Sequence, residues 1–164
     1  MQQNTQLTNK TPPGNAITQS YMTVPALLVT FPPAGSPGHG DRARLLGRQW
    51  PLCWTVGNRF FRPISTLGFL GYAYAGYSVY REGIPARGDW RAFGVAAMMH
   101  LTTMLHSALN MQPLNDRLEA LAARANEKEL AEAENVARKW ACWNRLRLVM
   151  PVLAGSLALY NLLG

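Results

Sequence analysis

The chain has 164 residues, enough for one domain of ordinary size and too few for two. Its formal charge of +7 would suit a nucleic-acid binder. However, no Lys/Arg block occurs and long stretches carry no charge, so nucleic acid is not an expected partner. The two cysteines, Cys53 and Cys142, have neither CxxC nor Cys/His spacing, which excludes a disulfide framework and the common zinc sites.

Residues 1–15 are polar and broken by Pro12-Pro13-Gly14; they read as a disordered tail without a cleavable signal peptide. Residues 16–31 (AITQSYMTVPALLVTF) form a weak first span, uncharged but carrying Gln19, Ser20 and an internal Pro25. A Pro/Gly loop follows to residue 40. From there Leu46, Trp50, Trp54 and Phe61 recur at helical spacing among five arginines within residues 42–62, predicting a helix that lies on a membrane surface or enters it. Residues 63–80 hold 18 positions without charge, the length of a tilted span, with Gly68, Gly71 and Gly76 available for close helix packing. After a short charged loop, residues 92–112 give 21 positions without formal charge, the best span in the chain. Residues 148–163, with Pro151 near their start, form the last. The expected fold is all-α: a four-helix transmembrane bundle over residues 16–164, or three spans if the first fails to insert.

Counting Lys and Arg by side orients it. Residues 32–62 and 113–147 hold twelve, against four (Lys10, Arg81, Arg87 and Arg91) on the other side. The first set is expected in the cytosol, with both termini and residues 81–91 outside. Between the last two spans, Leu114, Leu118, Leu121 and Ala125 form one helical stripe. Leu130, Ala133, Val136, Trp140, Trp143 and Arg147 form another. A charged helical hairpin breaking near Asn126 fits better than one straight helix of about 52 Å. If its turn is centred near residues 126–133, Asn115 reaches the depth of Asn144 and Arg147. A tight turn at Asn126 leaves them offset by about 10 Å.

The candidate site residues each have a plainer role beside them. Trp50, Trp54, Trp140 and Trp143 fall near one expected interface, the pattern of an aromatic belt, and Tyr77, Tyr80 and Trp90 near the other. Arg145 and Arg147 fit arginines snorkelling toward lipid phosphate. Asn115, after Pro113, fits a helix cap. His100 and His106 are unusual within a span, where ionisable groups face the bundle interior. Six positions apart, they lie about 240° around a helix from one another and cannot jointly ligate a metal as an i,i+4 pair would. No nucleotide-binding glycine loop, HExxH, GxSxG or CxxCH motif occurs, so no cofactor and no metal site is predicted.

Four elements, in order and at fitting spacings over residues 16–164, carry a resemblance. They are Val24-Pro25-Ala26-Leu27-Leu28, then Arg48-Gln49-Trp50 followed by Gly57, then Asn110, Pro113, Asn115 and Leu118, and last Trp140, Trp143, Asn144 and Arg147. Together they resemble the anthrone oxygenase family, small membrane proteins of fungal polyketide pathways with bacterial relatives. The resemblance implies a monooxygenase in secondary metabolism that turns an anthrone into an anthraquinone, with molecular oxygen as co-substrate. Such chemistry needs a base, an anion stabiliser and an apolar slot for a flat tricyclic ligand. On that basis Arg147 is expected to hold the oxyanion, with Asn115 and Asn144 hydrogen-bonding phenol or carbonyl groups. Trp143, Trp140 and Trp50 would contact the ring system. His106 has no counterpart in the family pattern and enters as base on chemical grounds alone. The alternative is a non-catalytic membrane scaffold or carrier for a hydrophobic polyketide intermediate or its synthase.

Overall fold

The computed structural model describes residues 18–83 and 88–163. The polar tail expected over residues 1–15 and the centre of the loop at 84–87 lie outside them. Among the described residues the regular structure is entirely helical. A short helix α1 is π-wound over Gln19–Thr23 and α-helical over Val24–Leu28. Then come α2 (His39–Glu82) and α3 (Trp90–His106). A π-helical turn, Ser107–Met111, joins α3 to α4 (Gln112–Ala120). The last helix is α5 (Glu127–Leu163).

Among the described residues the first expected span is a short helix. The two contiguous pieces of α1 have 5 residues each, and together they fall short of the roughly 20 that cross a bilayer. The chain turns away at Val29, which is extended, and at Thr30, whose φ is +58°. The polar residues that weakened the segment are what dock it. Gln19 and Ser20 are buried, and the Gln19 amide donates to the Cys53 carbonyl on α2.

The surface helix and the second expected span are also one element. Helix α2 runs unbroken for 44 residues through Pro51 and Pro63. Its first turns do not lie on a flat surface, because they pack beneath the α4–α5 hairpin. Ala43, Leu46 and Trp50 join Leu114, Leu118, Leu121, Leu130, Ala133, Val136, Ala137 and Trp140 in one core. Both leucine-rich stripes read from the hairpin are therefore buried faces. Gly47 makes the docking possible: a Cβ there would come within 2.5 Å of the Ala122 backbone nitrogen. His39 ties the layer together, reaching the Pro32 carbonyl through Nδ1 (2.7 Å) and the Leu130 carbonyl through Nε2 (2.9 Å).

Beyond this core the packing inverts. Apart from Phe93, inward positions are small or polar: Ser65, Ala96, Ala97, His100, Thr103, Ala154 and Ala158 are buried. Outward positions are large and apolar, among them Leu67, Tyr74, Met98, Leu109, Val152, Leu159 and Leu162. Water-soluble helices do the reverse. Two helical stretches, Trp90–Ala120 and Glu127–Leu163, are long and apolar enough to cross a membrane, and little of either apolar stretch is buried. At the far end Tyr77, Tyr80 and Trp90 are exposed, as expected of an interfacial set. There the Asn161 side chain grips the backbone of Asp89, accepting from its N–H (2.8 Å) and donating to its carbonyl (3.1 Å).

The hairpin turns early. Asn126 and Glu129 cap α5 reciprocally: the Asn126 N–H donates to Glu129 Oε2 (2.8 Å) and the Glu129 N–H to Asn126 Oδ1 (2.9 Å). This box begins α5 at Glu127. The offset arrangement results, so Asn115 meets Trp140 rather than Asn144 and Arg147.

Candidate functional site

The seven expected site residues separate into three clusters. In the first, Asn115 Oδ1 accepts from both Trp140 Nε1 (2.7 Å) and Trp50 Nε1 (3.2 Å). The two indoles meet edge to face, centroids 5.1 Å apart. All three residues are almost wholly buried. Buried indole N–H groups need acceptors, and one carbonyl oxygen serves both. Trp50 and Trp140 are therefore core residues and not interfacial anchors, and Asn115 is not a free helix cap.

The second cluster surrounds Arg147. Arg147 is 3% exposed, so it does not snorkel. Nη1 donates to Asn144 Oδ1 (3.4 Å) and Nη2 to Asn58 Oδ1 (3.5 Å), both long bonds to neutral acceptors. The Asn144 amide donates to Ser20 Oγ (2.8 Å), which ties α5 to α1. The Phe61 ring lies 4.7 Å from the guanidinium carbon. Nε is buried without a partner. Among the described residues no carboxylate pairs with this cation. A buried cation with no counter-ion is costly unless something supplies the missing charge. Beside it lies a cavity of about 220 Å³, lined by Phe61, Arg62, Ser65, Thr66, Met104, Ser107, Ala108 and Arg147. Two guanidinium groups and three hydroxyls on an apolar frame suit an anionic aromatic ligand.

The third cluster joins α3 to α5 through His106. Its Nε2 donates to the Trp143 carbonyl (3.2 Å), and its Nδ1 accepts from Asn110 Nδ2 (3.1 Å). The Trp143 ring lies 5.6 Å from the imidazole and carries Lys139 Nζ at 4.8 Å. With both ring nitrogens engaged, His106 has no free lone pair in this conformation. Its chain neighbour Ser107 does line the arginine cavity. Arg145, by contrast, is exposed and stacks on Tyr21 at 5.3 Å.

Asn58 and Ser20 escaped the sequence reading. Asn58 follows Trp54 by four positions and precedes Phe61 by three, which would have put it on their face. Ser20 gave no such signal, because its partner lies 124 positions away. Among the described residues no group of three His, Cys, Asp or Glu side chains converges as metal ligands would.

The family model for anthrone oxygenase matches residues 50–157, a segment that begins at Trp50 and includes Asn58, Asn115, Asn144 and Arg147. A curated relative, the monooxygenase hypC of Dothistroma septosporum, is 27% identical over 116 residues, 69% of this chain. The chain spans 60% of that relative's length. No match was found among solved structures. With the family model covering well over half its length, the chain belongs to the anthrone oxygenase family.

Proposed function

We propose that this protein is an integral membrane monooxygenase that converts an anthrone to an anthraquinone with molecular oxygen, and that Arg147 is the centre of its site. The observation that carries this reading is the buried guanidinium without a carboxylate, set beside a small cavity lined by Phe61, Arg62 and three hydroxyl side chains. The balanced reaction takes one anthrone and one O2 to one anthraquinone and one water. Loss of a C10 proton gives a delocalised anion with its charge on the C9 oxygen. That anion passes one electron to oxygen, and the radical pair joins as a C10 peroxide. Protonation and loss of water leave the second carbonyl. Arg147 stabilises the anion, and its planar fork and unpartnered Nε suit an oxyanion better than an ammonium would. Asn144 and Asn58 hold the fork, and Ser20 holds Asn144. Asn115 acts at one remove, through the two indoles that frame the neighbouring core.

The proton acceptor we assign is His106, once Asn110 withdraws its amide from Nδ1. Asn110→Ala is expected to speed proton removal and His106→Gln to slow it by about 100-fold or more, the scale of general-base catalysis. The inverted packing and the two membrane-length helices support a bilayer location. The twelve Lys and Arg of residues 32–62 and 113–147 support a cytosolic side for the buried core layer. Membranes carrying the protein should incorporate isotope-labelled oxygen at C10 of an added anthrone faster than control membranes, and Arg147→Ala should abolish the excess. Labelling no faster than control would remove the oxygenase reading and leave that of a carrier.

A further inference from the structure

A second, larger groove opens between α2 and α5, deeper in the inverted half of the molecule. It is an open trough of about 620 Å³ with Leu67, Leu159 and Leu162 exposed along its rim, and Gly68, Tyr72, His100 and Gly155 lie within it. That volume is ordinary for a small-molecule site. The lining carries no charged residue, unlike the arginine cavity. Two polar groups stand in it. His100 is 4% exposed, and among the described residues neither ring nitrogen has a hydrogen-bond partner; Nδ1 is fully buried. Tyr72 lies beside it, ring centroids 5.6 Å apart and tilted by 33°, and no hydrogen bond reaches its hydroxyl either. Nearby polar side chains behave differently, since Thr103 and Ser107 return their hydroxyls to their own helix carbonyls at 3.0 and 2.8 Å. A buried polar group left open in an apolar setting calls for a partner. The glycines shape the slot. A Cβ at Gly68 would stand 2.5 Å from the imidazole, and one at Gly155 would stand 3.8 Å from the Tyr72 hydroxyl.

We propose that this groove is a second ligand site, taking a neutral, flat hydroxyaromatic ketone. His100 accepts from a phenolic hydroxyl and Tyr72 donates to a keto oxygen. The absence of charge selects the uncharged form; Gly68 seats the imidazole against α2, and Gly155 leaves the Tyr72 hydroxyl uncrowded. The inference deepens the function proposed above and rests on it for the identity of the ring system, whereas the site itself rests on the groove.

The test is an absorbance and fluorescence titration of the purified full chain in lipid nanodiscs with 1,8-dihydroxyanthraquinone. His100→Leu and Gly155→Leu are each expected to weaken binding by tenfold or more, while His100→Gln, which keeps an acceptor, restores most of it. These variants are read in the Arg147→Met background, so that the arginine cavity does not contribute to the titration. Wild-type affinity in both leucine variants overturns the site. Because a leucine variant could fail to fold, the wild-type protein is also titrated after 15N-histidine labelling. One imidazole signal must move with the probe, in the His106→Gln background as well; a static spectrum overturns the site. Binding that depends on His100, in membranes showing no oxygen incorporation, would sustain the groove and reject the oxygenase reading. Oxygen incorporation alongside unaltered binding in the leucine variants would do the opposite.

Discussion

A guanidinium buried without a carboxylate costs folding free energy unless a bound group supplies the missing charge. Arg147→Met keeps most of the side-chain volume and removes the charge. It is expected to leave the protein as stable or to stabilise it, by up to about 1–4 kcal/mol on the scale of buried-charge replacement, while abolishing anthrone oxidation. Thermal unfolding in detergent beside the oxygen-incorporation assay checks both halves, and a strongly destabilised variant would sink the argument. Asn115 behaves in the opposite way. Asn115→Leu strands two buried indole N–H groups and should cost about 2–6 kcal/mol, at 1–3 kcal/mol for each unsatisfied group. The Asn-Pro-Asn and Trp-x-x-Trp-Asn-x-x-Arg elements singled out both residues, and both are buried and hydrogen-bonded. Their separation was not legible there. It depends on where the hairpin turns, and the Asn126–Glu129 capping box decides that within four residues. Hydrogen-bond partners such as Ser20, drawn from the far end of the chain, leave no trace in local spacing.

At the scale of elements, periodicity identified which faces are buried but misjudged continuity. Proline and a change from charged to uncharged residues suggested a boundary near Pro63, yet α2 continues through it. A proline inside a long helix removes one backbone bond and kinks it, and neighbouring turns carry the element on. The continuity has a consequence. The docking of α2 under the hairpin is transmitted along one rod to Asn58 and Phe61 beside Arg147. Gly47 is the contact point, with backbone of the Leu121–Ala122 turn against its Cα. Gly47→Ala is therefore expected to destabilise the protein by about 1–3 kcal/mol through overpacking. It should also lower oxidation activity by displacing the Asn58 bond. Gly94→Ala, where a Cβ meets nothing within 4 Å, is the matched control and should be close to neutral. Equal effects from the two substitutions would refute the contact as the cause.

The whole molecule divides into a layer with an ordinary apolar core and a half that is turned inside out, and the two cysteines report on the first. Cys142 is exposed on α5, and Cys53 is partly buried on α2 next to α1. Burial pushes the Cys53 thiol up from its ordinary range. The reactive species is the thiolate, so a raised pKa means less of it at any given pH. With an impermeant maleimide and open membranes, Cys142 should label quickly near neutral pH. Cys53 should lag and accelerate as the pH rises past the usual thiol range of about 8.5. In sealed cells neither should label, because both belong to the layer assigned to the cytosol by its Lys and Arg content. Single Cys53→Ser and Cys142→Ser variants assign each signal. Removing α1's grip by Gln19→Ala should shorten the lag of Cys53 without changing Cys142, since the Gln19 amide closes over that turn of α2. Labelling of Cys142 from outside sealed cells would invert the topology. Equal rates for the two thiols in open membranes would mean that α1 does not cover α2, and with it the Ser20–Asn144 support of Arg147 would be lost.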